Sequence, residues 1–178
     1  MKRQVITSLE DLNRLERQVL RAVEMTAGLL KKMLDSHDSL GTFAKLKFTK
    51  AGRDPLDSQR PLNVVEQLNQ TFTYLASVAG ARWLLSRHPD CAPLVLNLGT
   101  APGFDIESEC GNFAAETFAV THPGSNNKLR KDALKLQGAK AEHRFVFYLS
   151  PSRGPELQVP GVTVVRLDHP VIAALNSL

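Results

Sequence analysis

Residues 94–120 read LVLNLGTAPGFDIESECGNFAAETFAV, and the assignment of this stretch decides the fold. Its first half has the form of a strand running into a glycine turn that cradles a cofactor. Its second half has the form of two strands that carry acids. The nine residues FDIESECGN between Gly103 and Phe113 separate the two readings. A cofactor-binding glycine turn opens a helix, and the crossover back to a parallel strand needs about a dozen residues or more. Nine are too few. The segment also alternates as a strand does, with Phe104 and Ile106 on one side and Asp105, Glu107 and Glu109 on the other. It ends in a turn at Cys110-Gly111-Asn112. LVLNLG, GFDIES and NFAAETFAV are therefore expected as three successive strands. Antiparallel pairing of the last two would bring Asp105 and Glu116 together across the ladder.

The flanking sequence extends this pattern. Ser8 caps a helix with Asp11 at the third position, and Leu12, Leu15, Val19, Ala22, Thr26, Leu29 and Met33 follow close to a 3.5 repeat. That helix, within residues 1–36, is read first as packed along the domain, with a homodimer contact as the sharper alternative. Residues 37–61 are read as a connecting region broken by Gly41, Gly52, Pro55 and Pro61, with FAKLKF alternating like a short strand. A second long helix spans about Asn63 to Arg87, where Asn63 and Glu66 have capping-box spacing. After residue 120 come a loop (THPGSNN), a helix (NNKLRKDALKLQ) closed by Gly138, a strand (HRFVFYLS), a loop, the strand VTVVRL and a short closing helix.

The chain of 178 residues suits a single domain, residues 1–178, with its core in 63–178. It has 43% hydrophobic and 22% charged residues and no apolar run long enough to span a membrane. The N-terminus lacks the apolar centre of a secretion signal, so a cytoplasmic location is expected. Cys91 and Cys110 form no zinc spacing and are read as free thiols. The histidines have no ligand spacing, and no GxSxG or GxxxxGK[ST] occurs. Aromatic residues are only 6%, which disfavours a base-stacking platform.

The net charge of +4 is mild but unevenly placed. Residues 94–127 hold Asp105, Glu107, Glu109 and Glu116 with no Lys or Arg, whereas residues 128–144 hold six bases against two acids. An acidic pair beside a basic helix suits a metal-dependent phosphodiesterase, with Mg²⁺ or Mn²⁺ held by Asp105 and Glu116. A solvated helix face would give the same charge pattern. Such chemistry also needs a lysine to orient the nucleophile.

The order helix, strand, strand with GFDI, strand with Glu, helix, strand, over about Asn63 to Leu167, resembles the restriction-endonuclease-like PD-(D/E)XK nuclease superfamily. The resemblance implies an α/β fold with a mixed central sheet, and a metal-dependent DNA endonuclease or a degenerate relative. Gly103-Phe104-Asp105-Ile106 matches the Gly-x-Asp element, and Ala115-Glu116-Thr117-Phe118 matches Glu-x-Lys only in its Glu. Phe118 stands where the catalytic lysine belongs. Lys128 or Lys131 of the next helix is then the candidate replacement, or catalysis has been lost. Glu66 or Gln67 is an additional metal-facing candidate, and Glu107 a possible extension of the acidic cluster. Lys47, Lys50, Arg53, Lys128, Lys131 and Lys135 are the candidate contacts to a DNA backbone. The alternative function is a non-catalytic DNA- or protein-binding module on the same fold. A third is a methyltransferase using S-adenosylmethionine: LVLNLGTAPG resembles the first motif of Rossmann-like methyltransferases, with Glu116 as ribose ligand. In that motif Asn97 stands in place of the usual acid.

Overall fold

Alternating apolar side chains and β-branched or aromatic residues make strands where a helix covers the sheet on either side. The computed structural model, which describes residues 3–34, 38–99, 102–154 and 157–175, is mixed α/β. The chain runs β1 (Arg3–Ile6), α1 (Leu9–Leu34), α2 (Ser39–Phe48), β2 (Gly52–Asp54), β3 (Asp57–Leu62), α3 (Val64–Arg87), β4 (Leu94–Asn97) and β5 (Ile106–Ser108). It continues with β6 (Phe113–Ala119), α4 (Lys128–Gln137), β7 (His143–Leu149), β8 (Thr163–Arg166) and α5 (Pro170–Leu175). It clusters into two compact units, Met1–Leu12 with Ala76–Leu178, and Asn13–Leu75, so α1 and α3 each run through both. None of the helices among the described residues is long and apolar enough to cross a membrane.

The larger unit is built on a mixed sheet in the order β1-β4-β5-β6-β7-β8. Pairing is antiparallel from β1 to β6 and parallel from β6 to β8, with α4 as the crossover between β6 and β7. Strand period two divides β6 between the faces. Ala114 and Phe118 pack with Val146, Tyr148 and the α4 residues Leu129, Ala133 and Leu136. On the other face, Thr117 meets Ser77 of α3 through a 2.7 Å hydroxyl pair. Gly80 of α3 lets the sheet come close there. A Cβ at Gly80 would lie 2.9 Å from Phe147 Cδ2 and 3.3 Å from Ile106 Cδ1.

The smaller unit is organised around Gln67. Its buried side chain donates to Ala22 O at 3.1 Å and accepts from Thr26 Oγ1 at 2.8 Å and Arg53 N at 2.9 Å. One amide thereby joins α1, β2 and α3. The antiparallel β2–β3 hairpin turns at Leu56, whose N–H donates to Asp54 Oδ1 at 2.9 Å.

Several expectations are corrected. FAKLKF is not a strand but the body of α2, capped by Asp38, whose carboxylate accepts from Gly41 N at 2.9 Å. A local cap outweighs six alternating residues, and Phe43 and Phe48 are left 72% and 81% exposed, so the alternation marked no buried face. The connecting region holds β2 and β3, hidden in sequence because Gly52, Pro55 and Pro61 read as breakers. Its first residue, His37, lies outside the described residues, as do residues 155–156 of the late loop and 176–178 of the closing helix. Phe104 and Ile106 do not share a face. The chain bends at Asp105, before β5 begins, so Phe104 packs toward α4 while Ile106 lies by Gly80. The seam Leu12, Leu15, Val19, Ala22 and Thr26 is buried in the single chain, which leaves only its end, at Leu29, open.

Replacing Gly80 by alanine tests the close approach. Overpacking costs about 1–3 kcal/mol, against about 1 kcal/mol that alanine returns as a better helix former. Net loss of stability in urea unfolding is expected, with recovery in Gly80→Ala/Phe147→Leu, where the obstructing ring is gone.

Candidate metal centre between the hairpin and α4

The register that pairs Ile106 with Ala115 sets Asp105 against the Glu116 position of β6. Backbone geometry holds Asp105 in place: its carbonyl accepts from Asn97 N at 2.9 Å. Its Oδ2 accepts from Thr117 N at 2.7 Å and Thr117 Oγ1 at 3.3 Å. Among the described residues Oδ1 has no hydrogen-bond partner. Asn97 donates from Nδ2 to Phe104 O at 2.6 Å and to Glu107 Oε2 at 3.2 Å. The residue that lacks the acid of a cofactor motif therefore serves to pin the run ahead of β5. No helix follows the glycine turn; the chain enters β5 antiparallel to β4.

Glu116 is 4% exposed on the α4 face of β6, and α4 answers it. Lys135 Nζ lies 2.5 Å from Glu116 Oε1 and 3.0 Å from Gly103 O, and 5.1 Å from the centre of the Phe104 ring. One turn earlier on the same helix, Asp132 is buried, and Lys128 Nζ lies 2.7 Å from its Oδ1. Asp132 Oδ2 is buried with no partner among the described residues. Lys128 Nζ also lies 5.8 Å from the centre of the Phe118 ring, so a lysine from α4 stands beside that side chain. Lys128, Asp132 and Lys135 stand at i, i+4 and i+7, one helical face, beside the buried Leu129, Ala133 and Leu136.

Burial dominates the electrostatics. It pushes Glu116 up to about 7, aided by the Asp105 charge and opposed by Lys135. Asp105 is raised by burial against the Thr117 hydrogen bonds and the fields of Lys128 and Lys135. Asp132 is raised by burial against its bond to Lys128, with the Asp105 charge adding to the rise. Asp105, Glu116 and Asp132 thus form one interacting group with two lysines among them.

The structure brings together Asp105, Glu116, Lys128 and Lys135 of the residues singled out from sequence. Lys135, expected only as a backbone contact, is the lysine that reaches Glu116. Lys131 is exposed on α4 and bonds to neither carboxylate. Glu107 is held by Asn97. Glu66 belongs to a capping box in the smaller unit: Asn63 N donates to Glu66 Oε2 at 3.3 Å and Glu66 N to Asn63 Oδ1 at 2.8 Å. Gln67 spends its amide on Thr26, Arg53 and Ala22. Lys47 and Lys50 are exposed and Arg53 half-buried, all in the smaller unit. Asp132 was not anticipated; its helical spacing from Lys128 and Lys135 was the available signal. Comparison of the chain with family models, with curated proteins and with solved structures finds no match.

Carboxylate oxygens without a partner are hard donors that suit Mg²⁺ or Mn²⁺. Among the described residues no three His, Cys, Asp or Glu side chains converge tightly enough to hold one ion by themselves. The protein side therefore offers the two carboxylates of Asp105 and Glu116, and the orphaned Asp132 oxygen fits a nearby cation or its water.

Because the folded state raises the Glu116 pKa above its ordinary 4.5 to about 7, the folded state binds the extra proton. This contribution is fully present below pH 4.5 and is lost as pH rises through about 7. Glu116→Gln should flatten the fall in metal-free stability across that window, which amounts to as much as ~1.4 kcal/mol per pH unit for one proton. Unfolding free energies at pH 5, 6, 7 and 8 measure it; an unchanged slope would rule out a titrating Glu116.

Proposed function

We propose that the chain is a metal-dependent phosphodiesterase of the restriction-endonuclease-like type, acting on DNA, in which Lys135 of α4 replaces the motif lysine displaced by Phe118. The observation that carries this reading is the ion pair between Lys135 and the buried Glu116, beside Asp105. Its support also includes the element order: α3, the antiparallel run β4-β5-β6, crossover helix α4 and parallel β7. That order is the one the resemblance of the motif residues leads one to expect.

Asp105 and Glu116 would hold the divalent cation, which would supply Lewis acidity and a water of lowered pKa. Thr117 fixes the Asp105 carboxylate by bonding one of its oxygens, so the other stays oriented. Lys135 is about half exposed, so its ammonium can reach a phosphate oxygen as well as Glu116. There it would orient the nucleophile and stabilise the charge that develops on the non-bridging phosphoryl oxygens. Lys128 stands two helical turns away on the same face as a second phosphate contact. The exposed Lys131 adds to the field without touching the reacting atoms.

Supercoiled plasmid incubated with Mg²⁺ or Mn²⁺ should be nicked. Asp105→Asn, Glu116→Gln and Lys135→Met should each lower the rate by about 100-fold or more, while Lys131→Ala should stay within a few-fold. Metal-independent DNA binding without cleavage of any DNA or RNA would support the non-catalytic binding module. Loss of activity in Lys131→Ala but not in Lys135→Met would overturn the lysine assignment.

A further inference from the structure

Three carboxylates face two lysines in this cluster. Glu116 is bonded by Lys135, Asp105 by Thr117, and Asp132 by Lys128 through Oδ1 only. Among the described residues three buried side-chain oxygens lack a donor, Thr71 Oγ1, Asn97 Oδ1 and Asp132 Oδ2, and only the last belongs to a carboxylate. It sits on a residue 5% exposed in mid-helix, whose charge acts on Glu116 and which is itself acted on by the charge of Asp105. An oxygen buried there without a donor is held ready for one that the folded chain does not itself supply.

We propose that Asp132 is the third acidic group of the cation site and holds the ion through its hydration shell, as a positioning residue rather than a direct ligand. The inference rests on the metal-centre reading given above. Two observations select the indirect role. Direct ligation by three acids is disfavoured because no three such side chains among the described residues converge on one point. Mg²⁺ retains several waters and is ordinarily held by one or two carboxylates. A water of that shell donates well to a carboxylate oxygen, and Oδ2 is free to accept. The charge count agrees. With all groups ionised the three acids and two lysines sum to −1, and one divalent cation turns the sum to +1, the sign that a phosphate backbone needs.

Mn²⁺ binding to the full chain, read by calorimetry and by the electron-spin signal of free Mn²⁺, tests the assignment without reference to activity. Asp132→Asn keeps the shape but halves the acceptor capacity and removes the charge. It should weaken Mn²⁺ binding about 10- to 100-fold without lowering the metal-free melting temperature. Asp132→Glu, which keeps the charge and displaces the oxygen, should recover part of that affinity. Lys128→Met should bind Mn²⁺ at least as tightly as wild type, since it removes the competing cation. Wild-type affinity in Asp132→Asn, with binding lost in Asp105→Asn, would overturn the role of Asp132 and leave the metal centre standing. Equal weakening in Asp132→Asn and Lys128→Met would overturn it too, by reducing Asp132 to a holder of Lys128. Absence of Mn²⁺ binding in the wild type would overturn the metal centre and this inference together.

Discussion

A carboxylate buried on the covered face of a sheet has to be answered by whatever covers it. Glu116 is such a group, and the ion pair with Lys135 is that answer. Removing a carboxylate from water without a partner costs several kcal/mol, so α4 cannot pack in a register that takes Lys135 away from β6. The apolar side of α4 fits the same register, with Leu129, Ala133 and Leu136 against Ala114, Phe118, Val146 and Tyr148. Packing and charge therefore select one placement of the crossover helix, and with it the spacing of the lysines from the carboxylates.

The hairpin makes the matching contribution from the other side. Gly103 turns the chain at positive φ, Asn97 ties down the residue after it, and Asp105 arrives opposite Glu116 with one oxygen bonded to Thr117. None of these bonds requires a long loop. Nine residues suffice to bring the second strand back antiparallel, which is why the segment makes a hairpin and no crossover.

Much of this was legible in sequence because it is local. Strand alternation and the turn at Cys110-Gly111-Asn112 revealed the hairpin, and its pairing brought Asp105 toward Glu116. Capping-box spacing explained Glu66 without a metal. What escaped depends on partners distant in sequence. The burial of Glu116 comes from a helix a dozen or more residues later, so sequence could name several α4 lysines but not the one that reaches it. Asp132 was not singled out from sequence, since i+4 to Lys128 is the usual spacing of an exposed pair and carries no sign of burial. β2 and β3 escaped because their glycine and prolines are tolerated in a short two-stranded hairpin. In α2, Asp38 decided the outcome against the alternation that followed it.

Taking the lysine from a helix rather than from the strand that carries the glutamate has a further cost and use. Adjacent residues on one strand hold their spacing through covalent geometry. Here the spacing is held by the fit of Ala133, fully buried between α4 and the sheet, and by the neighbours that share its layer. Core volume in this layer thereby bears on the spacing of these charges: a larger side chain at Ala133 would push α4 off the sheet and draw Lys128 and Lys135 with it. The packing of this layer and the placement of its charges are therefore one constraint and not two.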